Sequence, residues 1–520
     1  MAIETLADIV RFHAVERPDQ TAMIYTADNR RWTFTELDQE SNRIAQALRA
    51  AGVDAQDRIA YLDKNSPEYF TYLYGGAKLN AVSVAVNWRL APREMEYILN
   101  DSEAKILLIG EEFLECLAQM NLTHVKTIVV LGDPLETGFP TYDQWLADFE
   151  AIDPEVQIDA EETCYQLYTS GTTGLPKGVE LTHNNFIGLL ADGFAALNIK
   201  DSSVNLVCMP LFHVSGSGWG VLGQYYGAET ILLRDVDMAE IKRVIGVHRV
   251  THTVFVPAVL QFFLAQPGVE DGDYSSLELV VYGASPITEA VLIEAMDLFK
   301  CNFSQAYGLT ETTGGVVLLA PEDHDPGGPR AHLLRSCGKA VPGTELKIVD
   351  TETLEEVADG TVGEIWIKSP QNMKGYWKNP EATAETKRSD GWLRSGDAGY
   401  LKEGYLYIHD RVKDMIISGG ENIYPAEIEN VLMKHPSIVD AAVIGVPSER
   451  WGETVKAIIT RSTQDLTEQS VIEFCRESLA GFKCPTSIDW MDTIPRNPSG
   501  KILKTELRKP YWTGQDRQVS

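Results

Sequence analysis

The stretch "YTSGTTGLPKG", Tyr168 to Gly178, sets three glycines and four Ser/Thr hydroxyls around a single lysine. A Walker phosphate loop, G-x-x-x-x-G-K-[ST], begun at Gly171 would need glycine where Pro176 stands and a hydroxyl residue where Gly178 stands. The stretch fails that pattern twice. It still has the makings of an anion cradle. Successive Gly and Thr residues can turn several backbone N–H groups to one side. Thr169, Ser170, Thr172 and Thr173 add hydroxyl donors, Gly171 and Gly174 add backbone freedom, and Lys177 behind the rigid Pro176 adds a full positive charge.

The rest of the chain limits what such a cradle can serve. At 520 residues it exceeds a single simple core, so two or more domains are expected. An apolar fraction of 44% and a charged fraction of 23% suit a soluble globular protein. A net charge of -30 disfavours nucleic acid and anionic lipid as partners. Small anionic substrates stay compatible, because salt screens distant charge and a few local cations dominate. The seven cysteines (Cys116, Cys164, Cys208, Cys301, Cys337, Cys475 and Cys484) are scattered without a C-x-x-C pair, which fits a reducing cytoplasm better than a disulfide framework or zinc ribbon. The opening "MAIETLADIVRFHAVERPDQ" reads as an amphipathic helix stopped by Pro18 rather than a signal peptide, and no run approaches a membrane span.

Short apolar runs alternate with helical patterns through the first 400 residues or so. "AKILLIG" (104–110), "VKTIVVLG" (125–132), "VNLVCMP" (204–210) and "ETILLRD" (229–235) read as buried strands. "FTELDQESNRIAQALRAAGV" and "MAEIKRVIGVHRV" carry helical spacing. The expectation is an α/β protein with substantial parallel sheet. Near Arg411 to Asp414 the texture changes to a Gly-Gly loop and a helix from about Pro425 to His435-Pro436. We therefore expect a large N-terminal domain of several subdomains with mixed and parallel sheets over 1–412, and a small mobile α/β domain over 413–520.

Two further motifs invite a different reading. "GWGVLG" (218–223) satisfies G-x-G-x-x-G, yet its glycines fall inside a helical pattern instead of a tight strand-to-helix turn. Close helix packing is the expectation, and a nicotinamide oxidoreductase built on it is the rival from another class, with no NAD(P) binding expected. "HRVTH" (248–252) lacks the glutamate of the zinc-protease pattern, so core or surface histidines are expected.

The opening stretch has company. "PLFHVSG" (210–216), "YGAS" (282–285), "QAYGLTET" (305–312), "GWLRSGDAGY" (391–400), "DRVKDMIISGGENIYPAEIE" (410–429) and "PRNPSGKILK" (495–504) follow it in order. Together with "YTSGTTGLPKGVELTH" they resemble the signature motifs of the adenylate-forming superfamily, which holds acyl-CoA synthetases, stand-alone adenylation domains and beetle luciferases.

That resemblance implies an AMP-forming acid–thiol ligase. A carboxylate attacks the α-phosphate of ATP, pyrophosphate leaves, and the acyl-adenylate passes its acyl group to coenzyme A. Two anions must meet, so placement of cations dominates the chemistry. By resemblance the loop from Ser170 to Lys177 holds the β- and γ-phosphates, and Thr169 and Glu311 place Mg²⁺. Tyr307 is the adenine-stacking aromatic, with Gly283, Ala284 and Ser285 on the other face of the base. Gln305, Ala306, Gly308 and Thr310 come with the same nucleotide-binding motif. Asp397 accepts from the ribose hydroxyls, and Arg411 is a second nucleotide contact. Lys501 is the catalytic lysine that bridges the substrate carboxylate and the α-phosphate.

For the second step the resemblance implies rotation about Lys413, which removes Lys501 and brings Gly419 and Gly420 beside the pantetheine arm. His213 gates the acyl pocket, and Lys483 in "GFKCP" lies near the CoA nucleotide. The pocket is expected to be lined by Trp219, Val256, Tyr282, Gly308, Thr312 and Gly315, an apolar lining with depth. A medium- or long-chain fatty acid is the expected substrate. An aryl or arylalkanoic acid, or an acceptor other than CoA, is the alternative. Expected partners are the acid, ATP and CoA, with a homodimer left open.

Overall fold

The computed structural model describes residues 2–133, 138–169, 175–188, 190, 193–285, 287–418, 421–448, 450–496 and 502–512, without the side chains of Asp410, Arg411, Lys413, Glu421 and Asn422. Among them the strands form four sheets, of nine, seven, four and five strands.

The two large sheets show why the apolar runs are continuous. In the strands Arg58–Leu62 and Ile106–Gly110, Ile59, Tyr61, Ile106 and Leu108 face one core, while Ala60, Leu62, Leu107 and Ile109 face another. Side chains alternate along a strand, so a sheet covered by helices on both faces needs apolar residues at every position. The same holds in the nine-stranded sheet. Met23, Val207, Leu232 and Val281 join the first core, and Ile24, Leu206, Ile231 and Val280 join a second core under the helices Met238–Val247, Pro257–Leu264 and Glu289–Phe299. Between the sheets lie the helices Phe34–Ala50, Pro67–Lys78 and Val214–Tyr225, whose buried residues belong to the shared first core.

Local sequence starts these helices. Thr33 accepts from the Glu36 amide at 3.2 Å while Glu36 accepts from the Thr33 amide at 2.8 Å, a reciprocal cap for the helix Phe34–Ala50. The N-terminal helix is Leu6–Glu16, with Leu6, Ile9 and Val10 buried. "GWGVLG" lies inside the helix Val214–Tyr225. A methyl at Gly220 would meet the Phe70 ring at 2.5 Å, and one at Gly223 would meet the Asn205 amide at 2.3 Å. Close packing accounts for two of the motif's glycines. The histidines of "HRVTH" also sit apart from any ligand set: His248 caps a helix, and His252 is buried against the Leu197 carbonyl at 3.1 Å.

A four-stranded sheet (Glu345–Val349, Gly363–Lys368, Leu393–Lys402 and Tyr405–Arg411) follows the large sheets. The chain then turns through Val412–Asp414 into the five-stranded sheet that begins at Ile416. That last sheet has its own apolar core, drawn from Ile416, Ile423, Ile428, Val443, Ile459, Val471 and Ile488 among others. Its helix Pro425–Leu432 starts at the expected proline and stops three residues short of His435. Among the described residues no helix is long and apolar enough to cross a membrane, and no group of three or more His, Cys, Asp or Glu side chains could hold a metal.

Candidate active site

The strands Leu279–Gly283 and Asn302–Leu309 run parallel, with Gly283 opposite Ala306, and the motif residues sit at their carboxyl ends. That end of a parallel sheet is where open α/β folds bind ligands. The backbone there is crowded. A methyl on Gly283 would lie 2.1 Å from the Ala306 carbonyl, and one on Gly308 would lie 1.7 Å from the Gly314 carbonyl. Ala284 has φ +67°, a left-handed conformation that strains a residue with a side chain, and it is exposed at this edge. Ser285 is half-buried beside it, and Gln305 points its amide at the Cys337 thiol 3.6 Å away.

Tyr307 donates its hydroxyl to Asp397 Oδ2 at 2.9 Å, and both residues are buried. Burial first, and the Asp397 charge second, push the Tyr307 hydroxyl well above the usual phenol range. It remains a donor throughout the physiological range. Ser395 Oγ in turn accepts from the Asp397 amide at 3.0 Å. Arg411 pairs with Asp397 across neighbouring strands; its side chain, like that of Lys413 in the following turn, lies outside the described residues.

The opening stretch joins the antiparallel strands Thr163–Thr169 and Lys177–Thr182, in which Thr169 stands opposite Lys177. Ser170, Gly171, Thr172, Thr173 and Gly174 lie outside the described residues. Lys177 holds its ammonium 5.0 Å from the centre of the Tyr376 ring. The Tyr376 hydroxyl donates to Glu311 Oε1 at 2.9 Å, in the turn Thr310–Thr312. One segment ties these parts together. The amides of Met373, Lys374 and Trp377 donate to the carbonyls of Glu311 (2.8 Å), Glu180 (2.9 Å) and Gly178 (2.7 Å). Tyr376 was not legible as a site residue: "GYWKNP" carries no charge pattern that sets its tyrosine apart from a packing aromatic.

His213 caps the helix Val214–Tyr225 and is half-buried. Among the described residues, a methyl built on Gly218, one turn further on, meets the Val214 side chain at 3.1 Å, and one built on Gly315 meets Ala306 at 3.3 Å and Phe194 at 3.8 Å. Gly218 and Gly314 both stand against Val214, and Gly315 stands against Ala306 and Phe194, so the neighbours of these small residues are apolar. Tyr282, Val256, Thr312 and Trp219 of the expected lining are all buried, Val256 in the second core. Tyr282 is buried in the second core, with its hydroxyl 3.0 Å from His324, because its strand position faces that core. Thr312 is also buried, its hydroxyl bound to the Leu309 and Gly314 carbonyls at 3.1 and 2.8 Å, so it shapes a turn rather than a pocket wall. Trp219 is buried too, its indole donating to the Leu206 carbonyl at 3.1 Å.

In the last domain, Lys483 binds both carboxylate oxygens of Glu427 at 2.9 and 2.7 Å. Ser418 and Glu421 pair on either side of Gly419 and Gly420, and Arg496 and Ile502 pair on either side of Lys501. Those three residues lie outside the described residues.

Lys177, Glu311 joined to it through Tyr376, and the buried Asp397 held by Tyr307 are charged groups drawn from separate elements. The AMP-binding enzyme family model matches residues 10–377 and its C-terminal domain model matches 427–501, so the chain belongs to that family of AMP-forming ligases. A fatty acid–[acyl-carrier-protein] ligase, ScoC of Streptomyces coeruleorubidus, is 40% identical over 100% of this chain and 98% of its own length. Long-chain-fatty-acid–CoA ligase FadD13 of Mycobacterium tuberculosis is 35% identical over 97% of this chain and 98% of its own. Among solved structures, the anthranilate CoA ligase AuaEII in complex with anthranoyl-AMP superposes with a TM-score of 0.88 at 28% identity, covering 98% of this chain and 97% of that one.

Proposed function

We propose that the chain activates a medium- or long-chain fatty acid with ATP and transfers the acyl group to coenzyme A. A carboxylate oxygen of the acid attacks the α-phosphorus, the bond to pyrophosphate breaks, and acyl-AMP forms. The thiol sulfur of CoA then attacks the acyl carbon, AMP departs, and the thiol proton passes to solvent. The observation that carries the first step is the joined arrangement of Lys177, Tyr376 and Glu311. It sets a cation and a carboxylate on either side of one tyrosine, next to the loop that we propose holds the phosphates.

Lys177 and the loop 170–174 neutralise the phosphates, and Asp397, held by Tyr307, orients the ribose. Glu311 and Thr169 fit Mg²⁺ only as it arrives with nucleotide, since one carboxylate and one hydroxyl leave most of its oxygen ligands to phosphate and water. When bound there, the ion would offset charge on the departing pyrophosphate. Lys501 meets the charge that develops between the carboxylate and the α-phosphate. Turning of residues 413–520 about Lys413 against 1–412 exchanges Lys501 for Gly419 and Gly420 before the thiol attacks, with Lys483 toward the CoA nucleotide.

Support for a fatty acid comes from the apolar neighbours of Gly218 and Gly315, namely Val214, Phe194 and Ala306. The two relatives above that act on fatty acids agree with it. The first of them uses a carrier protein as acceptor, so the acceptor is the second reading. A pyrophosphate-release assay over fatty and aromatic acids, with CoA or a phosphopantetheinylated carrier protein supplied, tests both. Release with medium or long fatty acids and acyl-CoA by mass spectrometry is expected. Thioester on the carrier alone would reassign the acceptor, and release with aromatic acids alone would reassign the substrate.

A further inference from the structure

We propose that Tyr376 is a positioning residue for the pyrophosphate end of the site, holding the carboxylate of Glu311 apart from the ammonium of Lys177. The inference rests on the adenylating reading above and adds a residue to it. Tyr376 touches both groups with different parts of one side chain. Its hydroxyl donates to Glu311 Oε1 at 2.9 Å, and its ring face lies 5.0 Å from the Lys177 ammonium. A neutral donor to a carboxylate and a ring beneath a cation are each favourable where water is scarce, and Tyr376 is buried.

The geometry solves a particular problem. Left alone, Lys177 and Glu311 would attract each other, and a closed ion pair would hold each away from the phosphate and the metal it is to receive. A tyrosine between them holds the two charges apart and leaves Oε2 of Glu311 as a hard oxygen ligand. The backbone supports the placement. Tyr376 sits in the segment whose amides bind the Glu311 carbonyl on one side and the strand of Lys177 on the other. Its own amide donates to Thr383 Oγ1 at 2.9 Å, within the helix Pro380–Thr386. The ring therefore has little freedom to follow either partner.

Isothermal calorimetry with magnesium pyrophosphate tests this directly, without turnover. Tyr376→Phe keeps the ring and loses the hydroxyl, and is expected to weaken binding about ten-fold. Conversion of supplied acyl-AMP to acyl-CoA, which uses no pyrophosphate, should proceed at the wild-type rate. Glu311→Gln should weaken binding as well, and adding Tyr376→Phe to it should cost little more, because both act through one contact. Wild-type affinity in Tyr376→Phe, equal loss in both half-reactions, or additive losses in the double variant would each overturn the proposal. A wild-type chain that does not bind magnesium pyrophosphate would overturn it too. If the wild type binds it but no acid releases pyrophosphate, the substrate reading fails while the role of Tyr376 stands.

Discussion

The Tyr307 hydroxyl and the Asp397 carboxylate lie 2.9 Å apart although 90 positions separate them in the chain. Tyr307 lies near the end of a strand of the nine-stranded sheet and Asp397 belongs to the four-stranded sheet, so this bond fastens two sheets where we propose the nucleotide binds. Tyr307→Phe keeps the ring and frees the carboxylate. We expect KM for ATP to rise roughly ten-fold with kcat changed much less, as for a lost hydrogen bond to a charged group. Initial rates across ATP concentrations check it. An equal fall in kcat at unchanged KM would contradict a binding role.

Lys501 is predicted to act in only one half-reaction. Lys501→Ala should lower pyrophosphate release by about a hundred-fold or more, the scale of a lost transition-state cation. Supplied acyl-AMP should still be converted to acyl-CoA. Lys413→Pro should do the reverse, sparing adenylation and slowing thioester formation, because it stiffens the turn between the sheets. The two half-reactions, assayed separately, distinguish these outcomes.

Gly218 is the position where added bulk should read out as chain length. Among the described residues, a methyl there meets Val214. Gly218→Phe should lower kcat/KM for long fatty acids by about ten-fold or more while sparing shorter ones, since a filled hydrophobic channel rejects by size. A uniform loss over all chain lengths would place Gly218 outside the acyl path. Competition between two acids in one tube gives the ratio directly.

His183 should make the fold acid-sensitive. Its Nδ1 accepts from the Leu6 amide at 3.1 Å at the start of the N-terminal helix, and burial pulls its pKa down from 6.5 to about 4. Between those values the unfolded chain binds the proton and the folded chain does not, so stability is full above pH 6.5 and falls as the pH drops toward 4. From pH 7.5 to pH 5 the loss should be roughly 2 kcal/mol. Urea midpoints at the two pH values should converge in His183→Asn, and an unchanged difference would rule out this histidine.

What was legible in the sequence follows from local and periodic rules. The runs "ILLIG" and "TIVVL" read as strands because a sheet covered on both faces must be apolar at every position. The helix Phe34–Ala50 was legible because its cap and its apolar stripe lie within a few residues of one another. "GWGVLG" was separable from a dinucleotide turn because its glycines fall at helical positions, and their contacts with Phe70 and Asn205 supply the reason. The pocket lining was less legible. Tyr282 and Thr312 stand next to motif residues, but which way a strand or turn presents a side chain depends on the layer behind it.

By itself, then, the sequence determined the layered α/β architecture and the order of the motifs, since periodicity, capping and motif spacing are written in neighbouring residues. Only the tertiary structure decided that Tyr376 stands between Glu311 and Lys177, and that Asp397 is held by Tyr307. These partners come from separate strands and turns and meet only when the sheets pack. Contact at such separations depends on register and on which face of a strand is covered, and no local pattern carries that information.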